Sequence, residues 1–205
     1  MKKLLIATWN PSKKKMFQEL VQTIDWLEDI EFLYITDFPS VPAPTEDGNT
    51  IQENALIKAS YYFDKFNLPV LSDDAGFEIK ELDNKPWVKA RRRWWELPEN
   101  VSDEERLAYY LGKVKDIPWD KVHGSFPFCR CLYLWPDKYF FQNERTEFYL
   151  TKQPRRPFKP GRPTSSIKVL LDGRHELDVP AWDIAWQDRF RPQWLKILLT
   201  NLLTD

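Results

Sequence analysis

The sequence predicts an α/β protein, a mixed central sheet flanked by helices, and three observations carry that prediction. From the N-terminus to Asp74, short apolar runs alternate with segments of helical period, the pattern of strands joined through helices. Two long runs, 128–135 and 139–150, are joined by Pro136-Asp137-Lys138 and read as a hairpin of paired strands. Of the 205 residues, 42% are hydrophobic, which suits one domain, or one domain of two lobes, with a sizeable core.

Taken in order, Lys3 to Thr8 reads as a buried strand. Asn10 and Pro11 start a helix, an N-cap followed by Pro at the first helical position. Met16, Phe17, Leu20, Val21, Ile24 and Leu27 recur at helical spacing, so this helix is expected to reach Leu27. Glu31 to Thr36 is a second strand, and Pro39 to Asp47 a Pro-rich loop. Thr50-Ile51-Gln52-Glu53 is a capping box that opens a helix through Phe66, with Ile51, Ala55, Leu56, Ala59, Phe63 and Phe66 as its apolar face. A short strand, Pro69 to Ser72, runs into Asp73-Asp74. Ser102 to Glu105 is a second capping box, the hairpin follows, and Gln153 to Pro163 is an exposed Pro- and Arg-rich connection. Ile167 to Leu171 is a strand before the Asp172-Gly173 turn, and Pro192 to Leu203 a closing amphipathic helix.

Composition narrows the function. With 30 Lys+Arg against 31 Asp+Glu the net charge is -1, which argues against a general binder of nucleic acid or membrane surfaces. Only 6 glycines leave few places for a glycine-rich phosphate loop, so phosphate binding would fall to helix ends, Lys and metal. The aromatic surplus, 10 Trp, 8 Tyr and 13 Phe, is either core or a stacking surface. Cys129 and Cys131, two apart on one strand, face the same way and are expected as reduced core thiols. Residues 1–8 are too short an apolar run for a signal peptide, no stretch approaches the ~20 apolar residues of a membrane span, and a cytoplasmic protein is expected.

Chemistry concentrates in three segments. Thr8-Trp9-Asn10-Pro11-Ser12-Lys13 places free backbone N–H groups at a helix start, which attracts anions. Lys13, Lys14 and Lys15 oppose the helix dipole there, sensible if a polyanion binds and equally the pattern of a solvated lysine run. Asp73 and Asp74 end a strand, where open α/β sheets bind ligands, and their side chains point to opposite sides. Paired acids without an obvious basic neighbour suggest Mg²⁺, although Asp-Asp before Gly is also an ordinary turn signal. Thr45-Glu46-Asp47-Gly48 is an acidic loop before the capped helix, on which Asn54 and Lys58 share one side or simply form its polar face. Lys89 to Trp95 mixes basic and aromatic residues, as single-stranded nucleic-acid surfaces do.

In this order the segments LLIATWNPSKKKMFQEL, TEDGNTIQENALIKA, LPVLSDDAGFEI and a Pro-Trp-Val stretch leading to Arg resemble the inosine/xanthosine triphosphate pyrophosphatase family. That resemblance implies a two-lobed chain, residues 1–205, with a nucleotide cleft between the lobes. It implies an enzyme that hydrolyses non-standard purine nucleoside triphosphates to the monophosphate and pyrophosphate. The family's phosphate motif falls on Thr8, Asn10 and Lys13, and its loop acid on Glu46. Asp74 takes the place of its general base and metal ligand, with Asp73 beside it as a further ligand of Mg²⁺, and Lys58 reaches a phosphate. Trp182 and Asp183 stand where the family reads the base, and Arg191 contacts base or phosphate. A homodimer is implied as well. The chain departs from the pattern at Ala75, where the family has Ser, at Trp87, where it has Gly, and in the shortened stretch from Asp183 to Arg189. The departures motivate a second reading, a nucleotide-binding protein of this fold with lost or altered catalysis, and the Lys89 to Trp95 patch a third, a nucleic-acid or protein interaction module.

Overall fold

A computed structural model describes residues 2–22, 24, 27, 29–87, 101–118, 121–159, 161–179 and 191–204, leaving aside the side chains of 12, 86, 87, 121, 191, 192 and 204. The chain forms two compact units, Met1–Ala75 with Phe128–Glu144 and Asp188–Asp205, and Gly76–Pro127 with Arg145–Gln187. Among the described residues there are eight strands of one mixed sheet and four α-helices, and no helix is long and apolar enough to cross a membrane.

In the first unit, β1 (Lys2–Ala7) lies between β2 (Ile30–Tyr34) and β3 (Val70–Ala75), parallel to both, and β3 pairs antiparallel with the second half of β6 (Lys121–Trp135). Side chains alternate across these strands, so each strand feeds two cores. Leu4, Ile6, Leu71 and Leu132 pack with Phe17 and Leu20 of α1 (Pro11–Val21) and with Trp194, Leu195 and Leu198 of α4 (Arg191–Thr204). Leu5, Ala7, Val70, Cys129 and Cys131 face the other way, onto Ala55, Ala59 and Tyr62 of α2 (Ile51–Phe66). Neither thiol is in a disulfide and both are buried, and burial pushes each up to about 12.

The Thr50 capping box forms as predicted: Thr50 Oγ1 accepts the Glu53 N–H at 3.1 Å, and Glu53 Oε2 accepts the Thr50 N–H at 3.3 Å. α1 is shorter than its apolar spacing predicts. It ends at Val21, and the next bonds are three-residue turns, Ile24 N–H to the Val21 carbonyl and Leu27 N–H to that of Ile24. Leu27 still enters the core, so the spacing marks burial beyond the helix itself. β2 also stops two residues before the predicted Thr36, because Ile35–Asp37 tightens into a 3-10 turn.

In the second unit, β4 (Phe77–Ile79) pairs with β5 (Lys85–Trp87) on one side and with the first half of β6 on the other. β7 (Lys138–Thr151) pairs with β8 (Lys168–Val169). The hairpin turn at Pro136-Asp137 puts Asp137 at a φ of 64°, and its strands run longer than the apolar stretches suggested. α3 (Asp103–Val114), opened by the Ser102 capping box, adds Leu107, Tyr110 and Val114 to a core built round Phe77 and Phe148, whose rings stack at 6.2 Å. Buried Glu176 lies against three cations, Arg162 at 2.9 Å, Lys168 at 3.3 Å and Lys159 at 3.5 Å.

Among the described residues the Phe and Tyr side chains largely feed the cores, whereas Trp9 and Trp135 are exposed. Phe17, Tyr110 and Trp194 are buried, and Phe63 and Phe66 are partly so. Trp9 is 38% exposed.

Candidate active site

Candidate residues gather at the carboxyl ends of β1 and β3, all within the first unit. Past Ala7 the chain turns into α1 through Thr8, Trp9 and Asn10. Thr8 Oγ1 accepts the Asn10 N–H at 3.3 Å, and Asn10 Oδ1 accepts the Lys13 N–H at 3.4 Å. Asn10 is thus the N-cap. The Trp9 Nε1–H donates to the Tyr62 hydroxyl at 2.7 Å, which ties this turn to α2.

The first turn of α1 carries no acid, so nothing on the helix offsets the positive end of its dipole. Its three lysines have separate fates. Lys13 pairs with Asp73 on β3. Lys14 donates to Thr36 Oγ1 at 2.6 Å and Asp37 Oδ1 at 2.8 Å, over the Tyr34 ring. Among the described residues Lys15 pairs with Glu19, at 3.9 Å on the exposed surface. The solvated-lysine reading thus describes Lys15 alone.

Asp73 and Asp74 point to opposite faces, as strand alternation requires. Asp73 lies on the α1 side, directly across from Arg130 on β6. Burial works to raise its carboxyl, but Lys13 first and Lys58 next outweigh it, and the group titrates below the ordinary carboxylate range. Arg130 adds to that effect, itself held by Gln142 at 2.6 Å and Glu144 at 2.8 Å and stacked 3.9 Å over the Trp194 ring.

Asp74 lies on the α2 side, where Asn54 Nδ2 donates to its Oδ2 at 3.1 Å. Burial pushes its carboxyl above the ordinary range; Lys58 pulls it back, and the negative charge of Glu46 pushes it further up. Lys58 Nζ lies 3.1 Å from Glu46 Oε1 and donates to the Asp73 carbonyl at 2.8 Å. Two partly buried carboxylates, Glu46 and Asp74, therefore share the neighbourhood of one ammonium.

That donor set fits a hard divalent ion. Charge close to two half-compensated carboxylates favours a cation, and oxygen ligands suit Mg²⁺-like ions. Asp73, expected with them as a ligand, is turned to the other face and taken by Lys13. Among the described residues no three His, Cys, Asp or Glu side chains come together.

Thr8, Asn10, Lys13, Glu46, Lys58, Asp73 and Asp74 are thus brought to one end of the sheet. Trp182 and Asp183 lie outside the described residues, as does the Lys89 to Trp95 patch. Arg191 begins α4, and its side chain is not described. Two contributors escaped the sequence reading, Tyr62 and Arg130, and Asn54, singled out there beside Lys58, gains a partner in Asp74. Arg130 was detectable as a lone charge in the apolar run 128–135.

The Ham1 family model matches residues 4–159. A dITP/XTP pyrophosphatase of Geobacter sulfurreducens is 36% identical over 126 residues, 62% of this chain and 60% of the relative, so the chain spans less than two thirds of that relative's length. A dITP/XTP pyrophosphatase of Corynebacterium efficiens is 33% identical over 153 residues, 74% of this chain and 72% of that one. A HAM1 protein from Coxiella burnetii has a TM-score of 0.79 at 25% identity, covering 98% of this chain and 100% of its own.

Proposed function

The chain belongs to the Ham1 family, and on that premise we propose that it hydrolyses non-standard purine nucleoside triphosphates to the monophosphate and pyrophosphate, with Mg²⁺. One observation carries the reading: Asp74, partly buried and hydrogen-bonded by Asn54, stands with Glu46 and Lys58 beside the capped start of α1.

The residues divide the work. Thr8 and Asn10 shape the turn that opens α1, and its N–H groups with Lys13 bind phosphate oxygens. Asp73 aims Lys13. Lys58 exchanges its carboxylate contact for a phosphate oxygen. Glu46 and Asp74 hold the divalent ion, which when bound supplies charge neutralisation on the phosphates and a lowered pKa for water. Asp74 orients a water and takes its proton as the water oxygen bonds the α-phosphorus. The bond from that phosphorus to the bridging oxygen breaks, and pyrophosphate leaves. Trp182 stacks on the base, Asp183 accepts its hydrogen bonds, and Arg191 contacts base or phosphate. Residues 1–205 act as one two-lobed functional domain, and the protein works as a cytoplasmic homodimer.

A panel of ITP, XTP, dUTP and the standard four triphosphates, assayed for pyrophosphate with Mg²⁺, tests this. Release from ITP or XTP is expected, and Asp74→Asn lowers it by about 10²–10⁴-fold with the fold intact. Near-wild-type turnover in that variant overturns the assignment. Ala75 at the end of β3, where the family's Ser would offer a hydroxyl, favours the second reading of altered catalysis. Binding without pyrophosphate release across the panel would select it.

A further inference from the structure

Asn54 is only 4% exposed on the inner side of α2, and a buried amide needs partners at both ends. It has them. Oδ1 accepts the Gly48 N–H at 2.9 Å, and Nδ2 donates to Asp74 Oδ2 at 3.1 Å. The orientation of the amide follows from chemistry: a backbone N–H only donates and an ionised carboxylate only accepts, so oxygen faces Gly48 and nitrogen faces Asp74. Gly48 follows Glu46 by two residues in the acidic loop, whereas Asp74 ends β3. One planar group therefore spans from the loop that carries one carboxylate to the strand that carries the other. The close approach also requires glycine, since a Cβ at 48 would stand 2.7 Å from Asn54 Oδ1 and 2.7 Å from Glu53 Cβ.

We propose that Asn54 is a positioning residue that sets the separation of Glu46 and Asp74. The inference rests on the reading that those two carboxylates hold the divalent ion. Asn54 itself touches neither ion nor substrate; it acts through its two partners.

Two substitutions separate this role from simple support of the loop. Asn54→Ala removes both bonds. Asn54→Asp keeps the acceptor for Gly48 but removes the donor to Asp74 and sets a like charge against it. Mn²⁺ binding is measured by calorimetry on each folded protein without nucleotide, beside kcat and KM on the best triphosphate and the thermal midpoint. Second-sphere partners of metal ligands are worth about 10–100-fold, so both variants are expected to bind Mn²⁺ at least about tenfold more weakly. kcat falls in step, while KM stays within about threefold of wild type. A folded Asn54→Asp that binds Mn²⁺ and turns over like wild type overturns the proposal, because loop support alone survives that change. If Asn54→Ala does not fold, Asn54→Asp carries the test. If wild type takes up no Mn²⁺, the metal reading fails separately. Hydrogen exchange then decides, at the Gly48 amide for one end and at the Ala75 amide, bonded to Asp74, for the other: exchange about tenfold faster at Gly48 in Asn54→Ala alone and at Ala75 in both variants supports the span, and an unchanged Ala75 amide overturns it.

Discussion

Neutralising Asp73 should cost stability in a way that pH can switch off. The Lys13 and Asp73 side chains are 27% and 12% exposed. Exposed pairs contribute about 0–1 kcal/mol, and stripping one partner from a fully buried pair costs about 3–5 kcal/mol. This pair lies in between, so Asp73→Asn is expected to cost about 2 kcal/mol at pH 7. In a chain of this length that is a fall of about 4–8 °C in Tm. The folded Asp73 carboxyl titrates below its ordinary value, so its contribution is fully present above the unfolded pKa, about 3.9, and is lost as pH falls through the lower folded value. Thermal unfolding of wild type, Asp73→Asn, Lys13→Met and the double variant, from pH 7 to pH 3, measures both effects. The four proteins form a cycle whose coupling should be about 1–2 kcal/mol at pH 7 and shrink below pH 4. A coupling under about 0.3 kcal/mol, or a gap between wild type and Asp73→Asn that is the same at both ends of the pH range, refutes the reasoning.

Three further outcomes are expected. Lys58→Met removes the cation that lowers Asp74, so its carboxyl rises further and the acid limb of the kcat profile moves to higher pH; a limb that stays put counts against Asp74 as the ionised base. Glu176→Gln leaves Lys159, Arg162 and Lys168 facing a neutral group and should cost about 3 kcal/mol in urea unfolding, with no measurable loss speaking against a buried charge cluster there. Cys129 and Cys131, buried and with pKa values of about 12, should resist a disulfide reagent at pH 8 in the native protein and take up two equivalents in urea, and fast native labelling would contradict their placement.

The parts of the fold that were legible are those fixed by neighbours in sequence. Both capping boxes and the Asn10 cap form where they were read, because each bond spans only three residues. The opposite aim of Asp73 and Asp74 follows from strand alternation alone. Helix ends were less legible, since apolar spacing continues through Ile24 and Leu27 after α1 has given way to turns. The polar interior was hidden for a different reason. Asn54 and Tyr62 are buried because their partners, Asp74 and Trp9, arrive from 20 and 53 residues away. Helical spacing carries no trace of such partners, so the apolar face of Ile51, Ala55, Leu56, Ala59, Phe63 and Phe66, of which Ala55 and Ala59 are fully buried, left Tyr62 out. Asp73 was expected as a metal ligand because acid pairs suggest one, and the Lys13 that claims it is 60 residues distant.

The lysine-loaded opening of α1 has a consequence for anyone who would improve the protein. A helix selected only for heat resistance would carry acids in its first turn, each contributing about 0.3–1 kcal/mol. Ser12, one residue before Lys13 in that turn, is a position open to that change. A screen that scores survival on heating would therefore drift toward Glu there and leave a hardier protein with a weaker pull on phosphates. Durability and substrate capture are set against each other within a single helical turn, and a selection that ignores one will erode it.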